Sequence, residues 1–261
     1  RAGASTTGNH PGHRERGSMS NAQETPTATP KPPLRSMGDL NLVWEWNTPD
    51  EMQIQLAGTQ PRDEYLQDRV DRANWIADRL RLTPESSVFE IGSGEGVMAD
   101  VLAPRVGRLL CTDVSRSFLD KARVTCREHT NVDYHHIDND FLAALPSAAF
   151  DGGFSLNVFI HLNVFEFFHY FRQIARILRP GGHFGVNFLD IGGATRSFFH
   201  FYAERYLGAN PIEFKGFLSF HGVDVIAAIA VEAGLTPLLD EFVNEDGVCY
   251  LILRRDEKPA A

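Results

Sequence analysis

Several things are scarce in this sequence, and each scarcity excludes a class of function. The cysteines number three, Cys111, Cys126 and Cys249, an odd count with no CxxC spacing. Neither a disulfide framework nor a zinc site is expected, and the thiols read as reduced structural groups of a cytoplasmic protein. Cationic clusters are missing as well. Lys and Arg total 25 against 34 Asp and Glu, the net charge is −9, and no basic run occurs. Proteins that grip phosphate backbones need clustered cations, so no nucleic-acid partner is expected. No apolar run approaches the ~20 residues of a membrane span, and the polar N-terminus is no signal peptide, which leaves no expectation of a membrane partner.

Large apolar side chains are also nearly absent from residues 1–37, which are rich in Pro, Thr, Ser, Gly and Asn. Such a segment cannot bury enough surface to offset its ordering entropy and is expected to be disordered. Within it, Gly17-Ser18-Met19 resembles a cloning junction ahead of a start methionine, which assigns residues 1–18 to a vector-derived leader. Residues 38–261 are enough for one well-cored domain.

What the chain has in plenty is alternation. From Asp39 to Leu82 the spacing of Tyr65, Val70, Ala73, Ile76 and Leu80 predicts helix, a helical cap over residues 39–82 that Pro84 ends. Short apolar runs then follow at Ser87–Ile91, Arg108–Cys111, Val132–Ile137, Phe150–Leu156 and His183–Phe188. Helical stretches separate most of them. The one over 163–178 carries the apolar stripe Val164, Phe168, Phe171, Ala175 and Leu178, and Arg179-Pro180-Gly181-Gly182 reads as the turn before the fifth run. Strands alternating with helices imply a doubly wound α/β fold with a mostly parallel sheet and helices on both faces. Two final runs, Leu235–Val243 and Val248–Leu253, flank Asn244-Glu245-Asp246-Gly247, which is hairpin chemistry. Together these predict seven strands closed by a C-terminal antiparallel hairpin.

Phenylalanine is unevenly placed, with thirteen of the nineteen between Phe159 and Phe220. An aromatic insertion over residues 191–222 lies where a minimal domain needs only a short connection. It reads either as a lid beside the carboxyl ends of the strands, or as an extra structural layer or the contact of a homodimer.

The strongest local signal is Glu90-Ile91-Gly92-Ser93-Gly94-Glu95-Gly96, a buried strand ending in an acid and a glycine loop. Glycines at alternate positions permit a tight turn and close approach of a ligand. The spacing is GxGxG, not the GxGxxG of dinucleotide-binding loops. Asp113 ends the second strand, where a carboxylate can accept from both hydroxyls of a ribose or cap the helix that follows. The third strand leads into Asp138-Asn139-Asp140, and the fourth into Asn157 and His161.

These motifs resemble the class I, Rossmann-like S-adenosylmethionine-dependent methyltransferases over most of residues 44–254, with residues 113–123 similar to that family's usual run. The resemblance implies S-adenosylmethionine as cofactor, with S-adenosylhomocysteine as product. It implies that Glu90, Gly92, Ser93, Gly94 and Gly96 embrace the methionine part, and that Asp113 with Val114 takes the ribose. Asp138 then meets the adenine amino group, with the Asn139 N–H on a ring nitrogen. Counting back from Leu145-Pro146 favours Asp140 for the adenine instead, and Asp138 is preferred. Asn157 falls beside the sulfonium.

For the second substrate the sequence offers a base at His161 or Asp190, both expected past strand ends on the acceptor side. His161 can also serve as a capping or packing residue. The signatures of DNA and protein amide N-methyltransferases, cytosine C5 enzymes and arginine methyltransferases are missing, and no metal site is expected. The reading is methylation of an O or N atom of a small molecule with apolar surface, such as a natural product of secondary metabolism. Two rivals stand beside it: a nucleotide-dependent oxidoreductase of related fold, and a non-catalytic, cofactor-binding regulatory protein.

Overall fold

In the computed structural model the described residues are 44–58, 60–138, 140–192, 195–208 and 218–257. The expectations for residues 1–37 and for Asn139 lie outside them. Short apolar runs bounded by Gly, Pro and Asp become strands β1 (Ser87–Ile91), β2 (Arg108–Asp113), β3 (Val132–His136), β4 (Phe150–Ser155), β5 (Leu178–Leu189), β6 (Leu235–Glu245) and β7 (Val248–Arg255). They form one seven-stranded sheet in the order β3-β2-β1-β4-β5-β7-β6. The pairs from β3 to β5 are parallel, while β7 runs antiparallel to both β5 and β6. This is the class I methyltransferase architecture, as the alternating runs predict.

The helices are α1 (Pro49–Ala57), α2 (Arg62–Arg79), α3 (Val97–Leu102), α4 (Arg116–Thr125), α5 (Val164–Ile177), α6 (Thr195–Gly208) and α7 (Val223–Glu232). They bury apolar stripes on both faces of the sheet. On one, Ile76 of α2 and Leu80 at its C-cap, Met98 and Leu102 of α3 and Leu119 of α4 pack with Leu109, Phe154 and Ile252. On the other, Phe167, Phe171 and Ile174 of α5 and Ile226 of α7 pack with Phe89, Phe150, Phe184 and Phe188. Aromatic rings dominate this second layer, with Phe89 stacked on Phe184 at 5.6 Å and edge-on to Phe150 at 5.1 Å. Strand order reverses between β1 and β4, which leaves a crevice at their carboxyl ends. Among the described residues no helix is long and apolar enough to cross a membrane.

Three local departures have physical causes, and the terminal hairpin turns within the expected residues. The helical run expected over Asp39–Leu82 is divided, in its described part, into α1 and α2. Pro61, which has no N–H to continue a helix, sits at the N-cap of α2. On α5 the buried residues are Phe167, Tyr170, Phe171, Ile174 and Ile177, while Phe168 is 37% exposed beneath Arg172. The sequence there is apolar on more than one face, so periodicity admits two phases, and packing against Phe159 selects one. Strand β5 begins at Leu178, which pairs with Phe150, and then skips to His183, which pairs with Gly152. Arg179-Pro180-Gly181-Gly182 is therefore a bulge within the strand and not a turn ahead of it. The last hairpin turns on Asp246 and Gly247, both left-handed at φ +53° and +93°, and Asn244 Oδ1 accepts from the Gly247 N–H at 2.7 Å. That is the two-residue turn whose twist matches flanking strands.

Candidate active site

The crevice opens into a cavity of about 850 Å³ at the carboxyl ends of the strands, a size suited to a small-molecule site. Its floor starts at β1. Gly92 and Ser93 donate their N–H groups to Thr112 O at 2.7 and 3.0 Å, which lashes the glycine loop to β2. Gly92 has φ +73°, and a Cβ there would stand 2.1 Å from Val158 Cγ2, so no other residue fits. Gly96 serves a different purpose. It caps α3 and lets it approach α4, where a Cβ would meet Ala122 Cβ at 2.9 Å, and it does not line the cavity.

Asp113 is buried at the end of β2. Its Oδ2 accepts from the Gly94 N–H at 2.8 Å and its Oδ1 from the Ser115 N–H at 2.9 Å. Each oxygen keeps further acceptor capacity toward the cavity. Burial pushes the Asp113 carboxyl up to about 6, against the hydrogen bonds from Ser115 and Gly94. Capping of α4 falls to Ser115, whose hydroxyl accepts from the Phe118 N–H at 3.2 Å. Glu90, at 4% exposure, is pushed up to about 8 by burial and then by the Asp113 charge, with Arg69 working the other way. Glu90 Oε2 has no hydrogen-bond partner, and neither has the buried Ser93 Oγ.

Of the two candidates after β3, Asp138 lines the cavity and Asp140 does not. Asp140 instead accepts from the Ala144 N–H at 3.1 Å and faces His135. Val114, Asn157 and His161 also line the wall. Asn157 is left-handed at φ +63°, and its N–H donates to Asn187 Oδ1 at 2.7 Å. His161 ends a 3₁₀ turn over Phe159–His161 and packs on the Trp44 ring at 4.7 Å. Asp190, expected on the same crevice, does not line it. Its N–H donates to Gly247 O at 2.8 Å, so the start of the loop is drawn to the hairpin tip. The cavity thus brings together Glu90, Gly92, Ser93, Gly94, Asp113, Val114, Asp138, Asn157 and His161, and leaves Gly96 and Asp190 outside its wall.

Several lining residues escape sequence reasoning. Trp44, Tyr65, Arg69, Tyr170 and Asn187 all contribute, while Phe198 and Tyr202 come from the aromatic insertion that the sequence offered as a lid. Trp44 is brought there by its neighbour Glu45, which accepts from the N–H groups of Arg116 at 2.7 Å and Ser117 at 3.0 Å and from the hydroxyls of Ser115 and Ser117. Burial raises the Glu45 carboxyl, but the hydrogen bonds from Ser117, Arg116 and Ser115 outweigh it and hold the group below its ordinary value. The visible trace in the sequence is an acid between two tryptophans just ahead of the first helix.

Residues 88–182 match a family model described as a methyltransferase domain. The chain is 26% identical over 165 residues to the ubiquinone biosynthesis O-methyltransferase of Stutzerimonas stutzeri (strain A1501), covering 63% of this chain and 70% of that protein. Among solved structures it is similar to geranyl diphosphate C-methyltransferase from Streptomyces coelicolor A3(2), in complex with Mg2+, geranyl diphosphate and S-adenosyl-L-homocysteine. That likeness has a TM-score of 0.59 at 13% identity, over 88% of this chain and 100% of the other. Magnesium protoporphyrin IX methyltransferase from Synechocystis PCC 6803, with bound S-adenosylhomocysteine, gives a TM-score of 0.57 at 16% identity over 84% and 94% of the two chains.

Proposed function

We propose that the chain, whose residues 88–182 match a methyltransferase-domain model and whose sheet has the class I methyltransferase order, transfers a methyl group from S-adenosylmethionine to an oxygen or nitrogen of a small-molecule acceptor with apolar surface. The observation that carries this reading is one cavity lined by the glycine loop, Asp113, Asp138 and His161 together. When bound, S-adenosylmethionine supplies an electrophilic methyl group on sulfur. The residues present fit it: the unpartnered Glu90 Oε2 is an acceptor in want of a cationic donor, and the site at Gly92 leaves no room for a Cβ.

On this reading Gly92, Ser93 and Gly94 shape the methionine pocket. Asp113, beside Val114, accepts from the ribose hydroxyls with the lone pairs that Gly94 and Ser115 leave open, and Asp138 reads the adenine amino group. Asn157 stands next to the reacting methyl. His161 is the base: a neutral ring nitrogen takes the proton that the acceptor's hydroxyl or amine releases. The step is assigned to His161 in preference to Asp190 because His161 lines the cavity. The rest of the task is alignment and exclusion of water by Trp44, Ile160, Phe198 and Tyr202.

Calorimetric titration of S-adenosylhomocysteine into the parent protein and an Asp113→Ala variant tests the donor. Micromolar binding by the parent and a loss of about a hundredfold or more in the variant is expected. A folded parent that ignores this ligand but binds NADH overturns the reading in favour of the oxidoreductase. Turnover of a panel of aromatic and aliphatic alcohols and amines, lost on His161→Ala with donor affinity kept, tests the base. Donor binding with no turnover of any acceptor favours the regulatory role.

A further inference from the structure

The N–H groups that open α4 are shared between two side chains from distant parts of the chain. Ser115, at the N-cap, accepts from the Phe118 N–H at 3.2 Å. The N–H groups of Arg116 and Ser117, which that cap leaves open, go to Glu45 Oε1 at 2.7 Å and Oε2 at 3.0 Å. The hydroxyls of Ser115 and Ser117 donate to the same Oε2. Trp46 reinforces the attachment, its N–H donating to Ser117 Oγ at 3.1 Å and its ring lying 6.1 Å from that of Phe118. Four donors thus converge on the two Glu45 oxygens, a set that an amide, with one acceptor oxygen and two N–H groups of its own, does not satisfy.

Two observations carry this attachment beyond helix capping. Ser115 also donates its N–H to Asp113 Oδ1 at 2.9 Å, so one serine is bonded both to the carboxylate assigned to the ribose and to Glu45. The residue before Glu45 then turns the other way. Trp44 lines the cavity, its ring centre 4.7 Å from that of the His161 imidazole and tilted by 53°. We infer, resting on the methyl-transfer reading above, that Glu45 is a positioning residue of the transfer: it holds Trp44 against His161 from the same turn that fixes Asp113. An imidazole free to turn presents its nitrogen to the acceptor only part of the time, and an indole packed on the ring removes that freedom. Glu45 touches no reacting atom on this account and acts through Trp44 alone.

The experiment reads His161 directly, by NMR and without an acceptor. The ring Cε1–H resonance of His161, identified by its loss in His161→Ala, is compared in the parent, Glu45→Gln, Trp44→Leu and the double variant. Glu45→Gln is expected to move the resonance toward its position in Trp44→Leu. In the Trp44→Leu background the same change should add nothing, since its effect runs through the indole. Turnover of the acceptor panel should follow, kcat/KM falling about ten- to a hundredfold, the scale of a misplaced group, while affinity for S-adenosylhomocysteine stays within about threefold. A resonance unmoved in Trp44→Leu or in folded Glu45→Gln overturns the inference, whatever either variant loses in melting temperature. Equal shifts from Glu45→Gln in both backgrounds overturn it as well. If the Gln variant does not fold, Glu45→Asp, which keeps both oxygens on a side chain one methylene shorter, carries the same comparison. A folded parent that does not bind S-adenosylhomocysteine overturns the donor reading itself, a result distinct from any behaviour of the His161 resonance.

Discussion

The floor of the cavity and its rim are built from different material. Glu90, Gly92, Ser93, Gly94 and Asp113 come from two adjacent strands and the loop between β1 and α3, and backbone N–H groups fix them to one another. The rim takes Trp44 from ahead of α1, His161 from the turn after β4, Phe198 and Tyr202 from α6, and Asp246 from the last hairpin. Floor residues other than Gly92 are buried, and short bonds hold the loop in place. Rim residues are partly open, Phe198 at 59% exposure. A floor of this kind resists change because each group supports the next, whereas a rim of aromatic side chains on separate segments can be altered one position at a time.

The largest effect that would sharpen this contrast is expected from Gly92→Ala. Left-handed strain and the collision with Val158 together cost about 3 kcal/mol, which lowers Tm by roughly 6–12 °C in a domain of this size. Donor binding should be lost with it, and calorimetry beside thermal melts checks both. A variant that melts like the parent would show the loop to be pliable and break the comparison.

Glu90→Gln comes next and has a pH signature. With its carboxyl raised to about 8 from an ordinary 4.5, the folded protein holds a proton there that the unfolded chain has given up. Stability from this group is therefore full below about 4.5, falls as pH rises toward 8, and stays low above it. The Gln variant should remove that slope, melting higher than the parent at pH 8.5 by an amount on the order of a few kcal/mol, with little gain at pH 5. Identical melting profiles across the range would deny that Glu90 is strained. Donor affinity should fall in the same variant, because a carboxylate oxygen is replaced by an NH2 donor and the negative charge is lost.

Smaller effects belong to the rim. Trp44→Leu should leave affinity for S-adenosylhomocysteine within about threefold and cost about 1 kcal/mol of stability, while turnover falls through KM for the acceptor more than through kcat. An equal fall in donor affinity would mean that Trp44 belongs to the floor. Phe198→Ala should shift Tm least, within about 0.5 kcal/mol as for other exposed positions, and change which acceptors of a panel are used. An unaltered acceptor profile would remove α6 from the acceptor wall.

The same contrast explains what could be read in advance. Glycine spacing, the acid ending β2 and the hairpin turn are local patterns, each set by backbone geometry within a few residues, and they stand out in the bare sequence. Arg69 does not, since it is one of several arginines on α2 and only the fold brings it to Asn157. Asn187 looks like any polar residue in a strand until its partner across the sheet is known. The choice between Asp138 and Asp140 depends on which one faces inward, and Asp140 is claimed by the turn at Ala144. The surroundings of Asp190 are not legible for a related reason: the chain past β5 bonds to the hairpin tip, a contact made by residues more than fifty positions later. Phe168 and Phe167 differ by one step along a helix rich in apolar residues, and packing alone decides between them.

Glu45 and Trp44 are consecutive, yet one is fastened to the first turn of α4 and the other lies against His161. The first turn of α4 and the cavity wall at His161 are therefore linked through two consecutive residues. An indole in that place is a built-in optical probe. Its emission should respond both to a ligand settling beside Asp113 and to one arriving at His161, and Trp75, packed on Tyr250, supplies an internal reference in the same chain.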